Sequence, residues 1–254
     1  MCTLVILRRP GHRWPLLVAA NRDELVDRPW RTPDRHWPDR PQVVAGMDEL
    51  AGGSWLGIND HGVMAGVLNR VGTLGPEADR RSRGELVLEA LDHADAGDAA
   101  AALAALETRS YRSFNLVVAD NREAFWLCHR DDRGHGPVER RPLPAGLSML
   151  TAHDRNDRSS PRIRAYLPRF RAAGAPDPER DDWRHWERLL ASRVHDAGAG
   201  PTGAMNIHTD TGFATVSSSL IALPSAEASA ELSPRWRFAP GHPDQAAYAA
   251  VDLG

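Results

Sequence analysis

Cys2 follows the initiator methionine directly in the opening run MCTLVIL. Removal of that methionine, which a small second residue permits, would leave a thiol and a free α-amine on one residue. A thiolate is the nucleophile in cysteine chemistry. An α-amine, with a reference pKa of about 7.7–8.0, is partly unprotonated at neutral pH and can take the thiol proton directly or through water. Attacker and base would then share a residue. The competing reading is a small apolar side chain at the start of a strand.

Two further groups bear on that chemistry. Asn21, Arg22, Asp23 and Glu24 follow the apolar run PLLVAA without a break. If TLVILRR and PLLVAAN form a hairpin across the turn formers Pro10 and Gly11, the start of one strand lies beside the end of the other, and this cluster comes next to Cys2. Asp23 could hold the terminal amine, while Arg22 could favour a thiolate or bind an anionic part of a substrate through paired donors. Without that hairpin the four residues read as a solvated turn with a surface ion pair. Asn69 closes WLGINDHGVMAGVLN, and an Asn amide at a strand end can donate to the oxyanion formed when a thiolate attacks an amide carbonyl. It reads equally well as a turn residue before VGTLG.

The elements that must position these groups alternate in blocks. After the first hairpin, residues 27–41 are crowded with proline, arginine and tryptophan and are expected to form an irregular loop bordering a site. NDHG marks a turn between strands ending at Asn59 and running from Val63 to Asn69. SRGELVLEALDHA carries Ser82 three residues before Glu85, a capping-box spacing, with Leu86, Val87, Ala90, Leu91 and Ala94 at helical intervals. Residues 99–106 extend the helical region by propensity, with a break expected at Gly97. FNLVVAD, AFWLCH and GLSMLTA read as strands. Helices are expected around Ile163, Tyr166 and Phe170, with Pro161 in the first turn, and over 182–194, before the closing strands TVSSSLIAL and RWRFA. Blocks of strands and helices in this order argue for an α+β arrangement in layers rather than repeated βαβ units.

MCTLVIL, AANRDE, AGGSWLGINDHGVMAGVLNR and SRGEL together closely resemble the NRDE family, also called the transport and Golgi organisation protein two family. The similarity is concentrated in the N-terminal third. The opening Cys-Thr and the segment from Gly57 to Asn69 are similar, more distantly, to the choloylglycine hydrolase and penicillin V acylase group of N-terminal-nucleophile hydrolases. This resemblance implies a four-layer αββα sandwich over residues 1–254 as a single domain. It implies that Cys2 is the nucleophile, that Asp23 contacts the terminal amine and that Asn69 completes the oxyanion hole. Asn21, Glu24, Trp55 and His153 are further candidate substrate contacts. In the hydrolases an arginine stands three positions before the aspartate, where this chain has Ala20, so Arg22 is a displaced substitute. Val216 and Met149 stand where an arginine and an asparagine are usual, which implies a remodelled substrate pocket.

Composition narrows the remaining classes. Of 254 residues, 42% are hydrophobic and 26% charged, enough apolar content for a sizeable core. The net charge of −3, with no basic stripe, gives no footprint for nucleic acid. All 31 basic residues are arginine, which suggests GC-rich bacterial coding. Two cysteines, Cys2 and Cys128, cannot make a disulfide framework and lie in no metal-binding spacing, so a reducing, cytoplasmic setting is expected. The first apolar run is too short for a membrane span or a signal core, and no membrane partner is expected. HExxH, GxSxG and nucleotide-loop patterns are missing, and His153-Asp154 reads as a surface dipeptide. Trp30 and Trp37 could line an apolar ligand site. Two functions stay open: a cofactor-free amidohydrolase acting on a small-molecule substrate, and a non-catalytic carrier of haem or a lipid-like ligand. The second comes from links of NRDE-family relatives to haem trafficking, although no haem-attachment motif is present.

Overall fold

The computed structural model describes residues 2–131 and 136–254. The chain runs β1 (Thr3–Arg8), β2 (Leu16–Leu25), β3 (Trp30–Asp34), β4 (Val43–Asp48), β5 (Leu56–Asn59) and β6 (Met64–Asn69). Two helices follow, α1 (Gly84–Leu91) and α2 (Ala96–Ala104), then β7 (Phe114–Ala119), β8 (Ala124–His129), β9 (Glu139–Pro142) and β10 (Gly146–Leu150). The last block holds α3 (Pro161–Ala172), α4 (Arg184–Leu190), β11 (Phe213–Leu223), β12 (Arg235–Ala239) and β13 (Ala249–Ala250). These elements form two compact units, the chain up to Arg28 with Pro144–Asp252, and Pro29–Leu143 with Leu253–Gly254.

In the first unit an antiparallel sheet runs β10-β1-β2-β11-β12-β13. The expected hairpin is there: Gly11 takes φ 81°, and Arg9 N–H donates to Pro15 O at 2.8 Å across the turn. Val5, Leu17, Ala19, Met149, Leu220 and Ala222 face α3 and α4, where Ile163, Tyr166, Phe170, Trp183 and Trp186 complete the core. Leu4, Ile6, Val18 and Ile221, of the opposite alternation, are also buried. A sheet buried on both faces reads as continuous apolar runs, which is how TLVIL and PLLVAA read. Ser160 caps α3 by accepting from Ile163 N–H, and Pro161 occupies its first turn as expected.

In the second unit seven strands form an antiparallel sheet in chain order, β3 to β9, with α1 and α2 inserted between β6 and β7. Val43, Ala65, Phe114, Leu116 and Leu127 pack against Leu86, Val87, Leu91, Ala100 and Leu103 of those helices. Each sheet thus carries its helices on one face, and the chain is α+β, as expected.

Several local expectations are corrected. Residues 27–41 are not wholly irregular, because Trp30–Asp34 pairs with β4 as an edge strand, where Pro33 is tolerated. Asn21–Leu25 is no turn: it continues β2, paired along its length with β11 and at Asn21 with β1. Gly97 lies inside the first turn of α2, which starts earlier because Asp95 caps it by accepting from Asp98 N–H. Ser82 does not form a capping box; α1 begins at Gly84 with no side-chain cap, and Ser82 Oγ instead accepts from Gly84 N–H at 3.2 Å. α4 ends at Leu190, short of the expected 194, and Val194 is 59% exposed. Among the described residues no helix is long and apolar enough to cross a membrane.

Gly57 on β5 lies where α1 packs close against its sheet. A Cβ there would stand 2.6 Å from Ala45 Cβ and 2.7 Å from Leu91 Cδ1. Gly46 does the same for Trp55, whose indole would meet a Cβ at 2.3 Å. Gly57→Ala is expected to destabilise the protein by about 1–3 kcal/mol through overpacking, read as a lower urea midpoint at unchanged slope.

Candidate active site

Thr3 pairs with Asn21 in the β1–β2 register, so Cys2, one residue earlier, comes beside Arg22 and Asp23. Cys2 is partly exposed as a residue, whereas Arg22 and Asp23 are buried. Burial is the largest influence on the thiol and pushes it above its ordinary value. The positive charge of the chain's N-terminus opposes it, the Asp23 carboxylate pushes the same way as burial, and a hydrogen bond from the Asp23 backbone N–H and the Arg22 guanidinium pull it down. The net effect is upward, so at neutral pH the sulfur holds its proton and needs a base to become a nucleophile.

Asp23 is the most closely held side chain in this region. Its Oδ2 accepts from Arg162 Nη1 at 2.7 Å and its Oδ1 from Thr215 Oγ1 at 2.7 Å. The ion pair is sealed, with side-chain exposures of 3% for Arg162 and 0% for Asp23. Arg162 Nη1 also donates to Thr3 Oγ1 at 2.5 Å, and Nη2 to Thr202 O at 3.0 Å, so the guanidinium ties α3 to β1, β2 and the segment before β11. On the β11 side a bulge between Thr215 and Ser217 sets Thr215 opposite Asp23 and Ser217 opposite Arg22. The Thr215 hydroxyl is oriented by accepting from Ile207 N–H at 2.8 Å.

The other sequence candidates divide. Asn21 is spent inside the protein: its amide donates to Leu190 O and Met205 O at 3.0 and 2.9 Å and accepts from Ser218 Oγ at 2.7 Å. It braces β2 against its neighbours, which replaces the substrate contact expected of it. Glu24 turns to its own surroundings, accepting from Leu25 N–H at 2.9 Å and standing 3.9 Å from Arg28. His153 is partly exposed, within hydrogen-bond reach of Ser159 Oγ at 3.3 Å, and lines a small cavity with Thr151, Ser160, Arg162 and Thr202.

Asn69 and Trp55 belong to the second unit. Asn69 is the last residue of β6, paired with Phe114. The strand end is fixed by Arg70, which donates through Nη1 to Asn115 Oδ1 at 2.7 Å and contacts Cys128 Sγ at 3.2 Å, and through its backbone N–H to Thr73 Oγ1 at 3.1 Å. Trp55 is partly exposed and meets Trp30 edge-on, with ring centroids 5.7 Å apart. Among the described residues no three His, Cys, Asp or Glu side chains converge as a metal site.

Arg162 was not among the sequence candidates, although a signal was present. Arg162, Tyr166 and Phe170 recur at intervals of four, which sets an arginine in line with the buried stripe of α3. A charge on the apolar face of a helix demands a buried partner, and Asp23 is that partner.

The fold built from these units is shared with known enzymes. A Caenorhabditis elegans N-acylethanolamine-hydrolyzing acid amidase ortholog superposes with a TM-score of 0.60 at 13% identity, covering 99% of this chain and 100% of that one. A variant of conjugated bile acid hydrolase from Clostridium perfringens gives 0.52 at 9% identity, covering 99% and 94%. At such identities the likeness shows the fold alone. The chain belongs to the Transport and Golgi organisation 2 family, whose model matches residues 1–177. It is 36% identical over 141 residues to a Bos taurus Transport and Golgi organization protein 2 homolog and 34% identical over 141 residues to the Homo sapiens homolog. Each match covers 52% of this chain and 50% of the relative, so the chain spans about half the length of the curated relatives it matches.

Breaking the sealed ion pair on one side leaves an uncompensated buried charge. Arg162→Met and Asp23→Asn are each expected to cost roughly 3–5 kcal/mol, and the double variant less than the sum of the two, as read from a double-mutant cycle in urea.

Proposed function

We propose that this protein is a cysteine amidohydrolase that cleaves a carbon–nitrogen amide bond of a small molecule, in a mature form whose first residue is Cys2. The observation that carries this reading is the thiol set at the open end of β1 against the doubly held Asp23. Desolvation keeps that thiol protonated at neutral pH, so it cannot attack unaided. A free α-amine on the same residue supplies the missing acceptor.

In the proposed sequence the α-amine takes the thiol proton as Sγ bonds to the amide carbonyl carbon. The carbonyl π electrons move to oxygen, forming a tetrahedral oxyanion. Collapse of the oxyanion breaks the C–N bond, and the ammonium returns its proton to the departing nitrogen. Water, deprotonated by the same amine, then attacks the thioester and releases a carboxylic acid and the free thiol. The family resemblance implies that Asn69 donates its side-chain N–H to the oxyanion. Support for the reaction class also comes from the two solved proteins of this fold, which are named an amidase and a conjugated bile acid hydrolase.

Intact and peptide mass spectrometry of purified protein is expected to find a chain beginning at Cys2, with a single adduct on that residue after treatment with an amide-directed electrophile and none in Cys2→Ala. Active protein that retains Met1 would sink the mechanism. Asn69→Ala is expected to lower turnover about 10²–10³-fold, the usual cost of losing one oxyanion donor, while leaving electrophile labelling of Cys2 largely intact. Unchanged turnover would remove Asn69 from the oxyanion site.

A further inference from the structure

We propose that Arg162 sets the proton affinity of the Cys2 α-amine by neutralising Asp23, and so fixes the pH at which that amine becomes a base. The inference rests on the amidohydrolase reading and adds a control to the same site.

A carboxylate alone beside an α-amine would work against the chemistry. An opposite charge within about 4–6 Å favours the charged form by roughly 1–3 pK units, so Asp23 by itself would hold the amine as ammonium, which cannot accept a proton from the thiol. Arg162 removes that pull. Its Nη1 stands 2.7 Å from Asp23 Oδ2, the pair is sealed from solvent and hence from salt, and a guanidinium does not give up its charge. Its position is not adjustable, because the Thr3 hydroxyl and the Thr202 carbonyl hold the same group at 2.5 and 3.0 Å. The other carboxylate oxygen takes a neutral donor, Thr215, which orients Asp23 without adding charge.

Among the described residues, charged groups reach the start of β1 from several elements. β2 brings Arg22 and Asp23, and α3 brings Arg162. The loop before α3 brings His153, in the cavity beside Arg162, while β11 contributes only the uncharged Thr215 and Ser217. With its charge answered by Arg162, Asp23 no longer pulls the amine toward ammonium. Relieved of that pull, the amine is free to act as a base near neutral pH. Asp23 can then align the amine by hydrogen bonding without trapping its proton. Arg162 acts through Asp23, so it is a positioning residue.

The test is the pH dependence of iodoacetamide labelling at Cys2 in the full processed chain, followed by mass spectrometry, with folding checked by thermal melts. Arg162→Met is expected to move the acid limb of the rate profile up by about one pH unit, a tenfold slower reaction below the limb. Asp23→Asn, which removes the carboxylate and leaves the guanidinium, is expected to move the limb down. The double variant should fall near wild type, and Arg162→Lys with it. A purely structural role would slow labelling without opposite displacements. Folded Arg162→Met and Asp23→Asn proteins with the wild-type limb would overturn the inference while leaving the hydrolase reading in place. If Arg162→Met does not fold, the direction of the Asp23→Asn shift decides. A processed wild-type chain that does not label at Cys2 would overturn both.

Discussion

The first unit is organised around a charge pair that hydrophobic packing alone would not produce. Moving a guanidinium and a carboxylate out of water costs several kcal/mol per ion, and the cost is offset only when geometry and additional hydrogen bonds are both good. Arg162 and Asp23 meet that condition with three further partners, Thr3, Thr202 and Thr215, each supplied by a different stretch of chain. The pair therefore works as a register device. β1, β2, β11 and α3 must all reach their places before the charges are satisfied, and a one-residue slip of β2 would move Asp23 to the opposite face of the sheet.

Around the pair, ordinary packing does the rest. The helix-facing side of the sheet is closed by Trp183, Trp186, Tyr166 and Phe170, side chains large enough to dominate the core area. This rigid backing allows β2 to carry Asn21, Arg22 and Asp23 as consecutive buried polar residues. Asn21 and Asp23 each have a reason to be in a strand. Asn21 answers two carbonyls and a serine hydroxyl, and Asp23 answers an arginine and a threonine. Such a run would break a strand at the surface of a lone hairpin. It persists here because β11 pairs along the whole run and β1 reaches its first residue, Asn21.

Much of this was legible in the residues. The hairpin followed from two apolar runs and a Pro-Gly turn, and the hairpin alone was enough to bring Asp23 to Cys2. The helix-facing residues of α1 and α3 followed from spacing, since a stripe at intervals of three and four has one solution. What stayed hidden has physical causes. Asn21 looks like any exposed polar residue until its three partners are known, and all three are distant in sequence. β3 was obscured by Pro33 and its arginines, because an edge strand needs only one paired side and tolerates residues that a central strand rejects. Arg162 lay in plain view on the apolar stripe of α3, but a lone arginine at helical spacing becomes informative only when a buried carboxylate is sought to match it.

Desolvation sets the resting state of the Cys2 thiol: withdrawal from water disfavours a thiolate, a charged product, so the sulfur keeps its proton. A protonated thiol is the ground state from which transfer to a base in the same residue would start in the proposed mature form, creating a charge pair only when a substrate is present to consume the thiolate. The environment that makes Cys2 unreactive as an isolated thiol is thus the one in which a residue carrying its own base gains most. That gain depends on Asp23 having its charge already answered.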